Sequence, residues 1–215
     1  MATRIGAWWR ERWRGCPEGL RADVIEKRKG AAMTEATVAR LADLTVLDGA
    51  ARVHRLGDCW AGHAVVLVLV RHFGCLFCKQ QVSELAKETD RIHALGAELV
   101  VVGNGGAEHV RWFEEDFGIE TPVFTDSTGE AYRTVGAKRG FFSGANPLTT
   151  LASLRAFASG YRQSGTRGDR YQQGGVFVIG PDGSMPYRYL SRYAGDHPAP
   201  QAVVAALERA TRIAT

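Results

Sequence analysis

Residues 64–71, AVVLVLVR, form a continuous and largely β-branched apolar run. A stretch like this has no wet face. It reads as a strand covered on both sides, at the centre of a sheet with helices above and below. Residues 76–95 follow with Cys78, Val82, Leu85, Ile92 and Leu95 at helical spacing, and Gly96 closes the pattern. Glu84–Lys87 and Glu88–Arg91 are favourable pairs on the outer side. ELVVVG, residues 98–103, is a second buried strand. Strand, long helix, strand is a βαβ unit with a right-handed crossover.

The rest of the chain has to complete that unit. A helix is expected over 107–117, with Val110, Phe113 and Phe117 inward and Gly118 as its stop. A short strand is expected at 121–126 and a brief helix at 129–136. The rhythm then lapses until about residue 173, apart from a possible helix at 147–161. An insertion or lid is therefore expected around residues 137–172. VFVIGPDGSMPYRYLS reads as a hairpin turning at Gly180-Pro181-Asp182-Gly183. Asp196 is placed to cap a last helix, 199–213. The expected fold class is α/β: a thioredoxin-like plan, with a mixed central sheet flanked by helices.

Composition narrows the class. With 45% hydrophobic and 23% charged residues, the 215-residue chain can bury a core and suits one soluble domain. The net charge of +4 sits in residues 1–30, where eight basic residues face four acidic ones; the remainder balances. Residues 1–35, with Trp8, Trp9 and Trp13 among arginines, read as a basic tail or a segment outside the native start. Residues 36–215 read as the domain. The charge balance argues against nucleic-acid binding by that domain. The apolar run ending at Val70 is far too short for the roughly 20 residues of a membrane span. No apolar h-region marks a signal peptide, so a cytoplasmic location is expected.

VRHFGCLFCKQQ, residues 70–81, carries the chemistry. Cys75 falls at the strand-to-helix turn and Cys78 in the first helical turn. Unpaired N–H groups and a partial positive charge at a helix start favour thiolate over thiol. In a reducing compartment such a pair is catalytic or metal-binding more often than a structural staple. Cys75, as the outer and more exposed residue, is the expected nucleophile, and Cys78 the resolving cysteine. Two rivals stand beside this reading. His72, Cys75 and Cys78 could be metal ligands, with His63 or Cys59 as a fourth, in a metal-binding or delivery module. Alternatively, the pair is inert in a thioredoxin-fold interaction domain. Cys16 reads as a bystander and Cys59 as a small core residue. GNGGAE, residues 103–108, lacks the third glycine of a dinucleotide loop.

VVLVLVRHFGCLFCKQQVSELA, LGAELVVVGNG, TPVFTDSTGEAYRTVG and QGGVFVIGPDGSMPYRYLSRYAGDHP together resemble the peroxiredoxin-like AhpC/TSA family. Within it they are similar to the selenoprotein U-like and prostamide/prostaglandin F synthase-like branch. The resemblance covers about residues 40–210. It implies thiol-dependent reduction of peroxides or endoperoxides, with a thioredoxin- or glutathione-type thiol donor as partner; the pair itself also suits disulfide substrates, and no metal or bound cofactor is expected. Cys75 and Cys78 match the family's redox pair.

Some family features are missing. The Thr or Ser that ordinary peroxiredoxins place three positions before the peroxidatic cysteine is held by Cys75 or by His72, depending on which cysteine is peroxidatic. Gly174-Gly175 stands where they carry an arginine. Arg71 and Arg170 are the candidates for that arginine's role, and His72 is a candidate for orienting the cysteines. Arg133, Lys138, Arg139, Arg155, Arg162, Arg167 and Arg170 against one acidic residue, Asp169, make the insertion basic enough to receive an anionic, lipid-like substrate or glutathione. Phe141, Phe142 and Phe157 would supply its apolar wall.

Overall fold

A computed structural model describes residues 29–117, 121–140 and 168–213. Among these residues seven strands form one mixed sheet: β1 (Thr45–Leu47), β2 (Val53–Arg55), β3 (Ala64–Leu69), β4 (Ala97–Gly103), β5 (Val123–Thr125), β6 (Gly175–Ile179) and β7 (Tyr187–Leu190). Their order is β2-β1-β5-β4-β3-β6-β7. The buried run becomes the central strand β3, as its unbroken hydrophobicity requires. It pairs parallel with β4 and antiparallel with β6, so the C-terminal ends of β3 and β4 lie beside the start of β6.

Helices cover both faces: α1 (Lys29–Ala42), α2 (Leu76–Ala86), α3 (Thr89–Ala94), α4 (Ala107–Phe117), α5 (Glu130–Thr134) and α6 (Pro200–Ile213). The alternation along β3 divides the core. Val66 and Val68 pack with Val82, Ile92, Phe113 and Val204 from α2, α3, α4 and α6. Val65, Leu67 and Leu69 pack with Leu41, Trp60 and Tyr132 on the other face. Each side chain so buried is worth about 1.5–3 kcal/mol.

Several expectations need correction. The helix drawn over 76–95 is two helices. The N–H of Glu88 bonds to the Leu85 carbonyl, three residues back, which tightens and ends α2. Asp196 does not cap α6. Its carboxylate accepts hydrogen bonds from the Tyr189 hydroxyl and from the backbone and side chain of Arg192. Strands β1 and β2 were not foreseen. Helix α1 begins upstream of residue 36, while the tail over 1–28 lies outside the described residues. So do Gly118, the helix at 147–161, Phe141, Phe142, Phe157, Arg155, Arg162 and Arg167. The hairpin at residues 180–183 closes as read: Gly183 has φ of +79° and the Asp182 carboxylate accepts the Ser184 N–H. Among the described residues no helix is long and apolar enough to cross a membrane.

Candidate active site

The turn from β3 into α2 brings Arg71, His72, Cys75 and Cys78 to the end of the sheet where β4 stops and β6 begins. Val70 stays on the ladder through its N–H to the Val102 carbonyl, 2.9 Å away. The buried Tyr132 hydroxyl donates to the carbonyls of Val70 (2.6 Å) and Val102 (3.2 Å), pinning both strand ends. The chain then folds back, with the Cys75 N–H on the His72 carbonyl at 3.1 Å, and Cys75 becomes the residue before α2.

Both cysteines are buried, with no bond between their sulfurs. The greater exposure expected for Cys75 is not found: it is 1% exposed, against 3% for Cys78. The reason is Arg71, which folds over it instead of extending into solvent. Its Nη1 stands 3.7 Å from the Cys75 sulfur. Its Nη2 and Nε donate to the carbonyls of Arg170 (2.7 Å) and Gln172 (3.2 Å). The backbone N–H of Arg71 meets the Cys78 sulfur at 3.2 Å.

These contacts split the pair electrostatically. The Cys78 thiol, as hydrogen-bond donor, is the largest influence drawing the Cys75 pKa down; burial opposes it. Arg71 and the N–H groups of Cys78 and Phe77 at the helix start add to the pull, and the value falls to about 6. Cys78 goes the other way, pushed well up by burial and by the neighbouring Cys75 sulfur. These influences favour the thiolate at Cys75 and the protonated thiol at Cys78.

His72 is buried, and burial with the adjacent Arg71 lowers its pKa to about 4, so it is neutral at physiological pH. Its Nδ1 has no hydrogen-bond partner among the described residues. It does not gather with Cys75 and Cys78 into a metal-holding set; among the described residues no group of three or more His, Cys, Asp or Glu side chains does. The Arg170 guanidinium lies over the Tyr171 ring and donates to its hydroxyl, so Arg170 reaches the site through its carbonyl. Cys59 is buried in the opposite core layer, its pKa raised to about 12 by burial.

Gly174 and Gly175 have a packing reason. A Cβ on Gly174 would stand 2.0 Å from the Leu69 carbonyl oxygen, and one on Gly175 would stand 2.5 Å from that of Tyr189. The backbone there is too close to its neighbours for any side chain.

Among the described residues, one cavity opens at the turn and another lies beside Asn104. A narrow cleft of about 10 Å³, room for about one water, is lined by Arg71, Phe77, Cys78, Gln81, Asp196 and His197. A larger one, about 330 Å³, has Asn104, Thr128, Tyr132, Arg133, Arg139 and Asp169 on its walls. Arg139 is ion-paired with Asp169, and Arg133 donates to the Thr128 carbonyl. Sequence reasoning missed Tyr132, Asn104 and the carbonyls of residues 170 and 172. Of these, only Asn104 carried a signal, as a polar residue directly after a buried strand.

The model of the AhpC/TSA antioxidant enzyme family matches residues 84–192, just beyond the two cysteines. The chain is 28% identical over 187 residues to Thioredoxin-like protein AAED1, chloroplastic, of Arabidopsis thaliana, covering 82% of this chain and 75% of that protein. It is 30% identical over 169 residues to Peroxiredoxin-like 2C of Mus musculus, covering 74% and 75%. Among solved structures, Peroxidoxin BcpB from Mycobacterium tuberculosis superposes with a TM-score of 0.59 at 17% identity, over 79% of this chain and 94% of that one.

Proposed function

The chain belongs to the AhpC/TSA antioxidant enzyme family and has a thioredoxin-like fold, and from that premise we propose that it is a thiol-dependent oxidoreductase working through Cys75 and Cys78. One observation carries the reading: the Cys75 sulfur faces a guanidinium, a thiol donor and a helix start, which hold it as thiolate near pH 6 and above.

With a hydroperoxide, the Cys75 thiolate attacks the terminal oxygen. The O–O bond breaks, the alkoxide leaves and takes up a proton, and Cys75 becomes a sulfenic acid. Cys78 then attacks the Cys75 sulfur. The S–S bond forms, and hydroxide departs as water with the proton of Cys78. A thiol donor of thioredoxin or glutathione type returns two electrons by exchange. With a disulfide substrate, Cys75 forms a mixed disulfide and Cys78 displaces the second thiolate. Arg71 stands where a developing negative charge needs compensation, and so serves the role that Gly174-Gly175 leaves vacant. The chemistry calls for no metal or bound cofactor, and it suits a reducing compartment such as the cytoplasm.

The test is direct. Reduced protein receives a hydroperoxide, and Cys75–Cys78 disulfide is followed by alkylation trapping and mass spectrometry. Disulfide formed within seconds at micromolar oxidant, and abolished in Cys75→Ser, is the expected result. Oxidation over hours would rule out a peroxidase and leave disulfides as the substrate class.

A further inference from the structure

We propose that Asn104 is a positioning residue for the Cys75 thiolate: by tying the Arg71 backbone to the segment 168–172, it holds the Arg71 guanidinium against the sulfur. The inference rests on the reading of Cys75 as the reactive thiolate.

Asn104 follows directly on β4 and is buried. Its Nδ2 donates to the Arg71 carbonyl at 2.5 Å. Its Oδ1 accepts the Asp169 N–H at 2.6 Å. One residue beyond Asp169, and again at 172, come the two carbonyls that receive the Arg71 side chain. A single planar amide therefore fixes both the root of Arg71 and the acceptors that aim its far end. With Nη2 and Nε held on those carbonyls, Nη1 is left toward the Cys75 sulfur. A long flexible side chain gives up its rotamer freedom only where acceptors are prearranged like this.

The neighbouring backbone is shaped around the bridge. Gly168 has φ of +107°, and a Cβ there would lie 2.0 Å from Asn104 Oδ1 and 2.1 Å from its carbonyl oxygen. Gly103, on the other side, leaves space for the Phe73 ring, which a Cβ would enter at 2.3 Å. The bridge needs a donor and an acceptor at fixed separation on a short stem. An aspartate at this position lacks the donor, and an aliphatic side chain lacks both.

The test uses full-length reduced protein. The rate of Cys75 alkylation by iodoacetamide, resolved from Cys78 by peptide mass spectrometry, is recorded against pH for wild type, Asn104→Ala, Arg71→Met and the double variant. Circular dichroism checks that each is folded; Asn104→Ser, which is too short to span both partners, substitutes if the alanine variant is not. The wild-type midpoint should lie well below that of an ordinary thiol, about 8.5. Asn104→Ala should raise it by about half a unit to one unit. In the Arg71→Met background the same change should add nothing, because its effect passes through Arg71. An unshifted midpoint in folded Asn104→Ala overturns the proposal, as does a shift that adds in full to that of Arg71→Met. A wild-type midpoint near 8.5 overturns the thiolate reading itself, and the positioning role with it.

Discussion

Arg71 touches the two sulfurs with different groups, its guanidinium toward Cys75 and its backbone N–H toward Cys78. The division of charge between the cysteines depends still more on the pair itself, since the Cys78 thiol is the largest influence lowering the Cys75 pKa. Cys78→Ala should therefore raise the Cys75 midpoint from about 6 by roughly one unit or more. The sign follows from the ionisation: with a raised midpoint, less thiolate is present at pH 6–7, and a rise of one unit slows alkylation there by about twofold at pH 7 and about fivefold at pH 6. The pH dependence of Cys75 labelling checks this. The same variant should accumulate a mixed disulfide with the thiol donor, having lost the group that resolves it.

Strand β6 illustrates how an element can be shaped by what is missing from it. Its entry at Gly174 lies against the end of β3, so Gly174→Ala should force the two strands apart and cost about 1–3 kcal/mol, read as a lower urea midpoint with weakened activity. Elements of this central kind were legible. The all-apolar run of β3 has one physical interpretation, and the period of α4, the turn at Gly180–Gly183 and the position of Cys75 follow from local rules. Strands β1 and β2 were not legible. Each has three residues, too few to show a period, and they exist because β1 adds to the edge at β5 through the Leu47–Thr125 pairing. The burial of Cys75 was hidden for a related reason: its cover is Arg71, held by carbonyls about a hundred residues away. Asp196 was misplaced because a carboxylate ahead of a helix signals a cap, whereas the Tyr189 hydroxyl and Arg192 compete for it and win.

On the scale of the whole molecule, three stretches distant in sequence meet at one end of the sheet, and their joint effect is to favour the reduced pair. A Cys75 thiol drawn down by its neighbours stabilises the dithiol at neutral pH by on the order of 1 kcal/mol, a few tens of millivolts for a two-electron couple. The couple should be more oxidising than one made of ordinary thiols, and Arg71→Leu should make it more reducing by about 10–30 mV. Equilibration in glutathione buffers, read by mass spectrometry, measures this. The placement of both sulfurs within one turn at the start of α2 has a further consequence. Under the proposed mechanism, once Cys75 has taken an oxygen its partner is already at hydrogen-bonding range, so the two sulfurs have little distance to cover before water is expelled. A second oxidant molecule must arrive within that brief interval to drive the sulfur on to the irreversible sulfinic state. Under the proposed mechanism this arrangement favours endurance: in a surge of oxidant the turnover would be limited by how fast the pair is recharged, and the sulfur would not readily be burnt out.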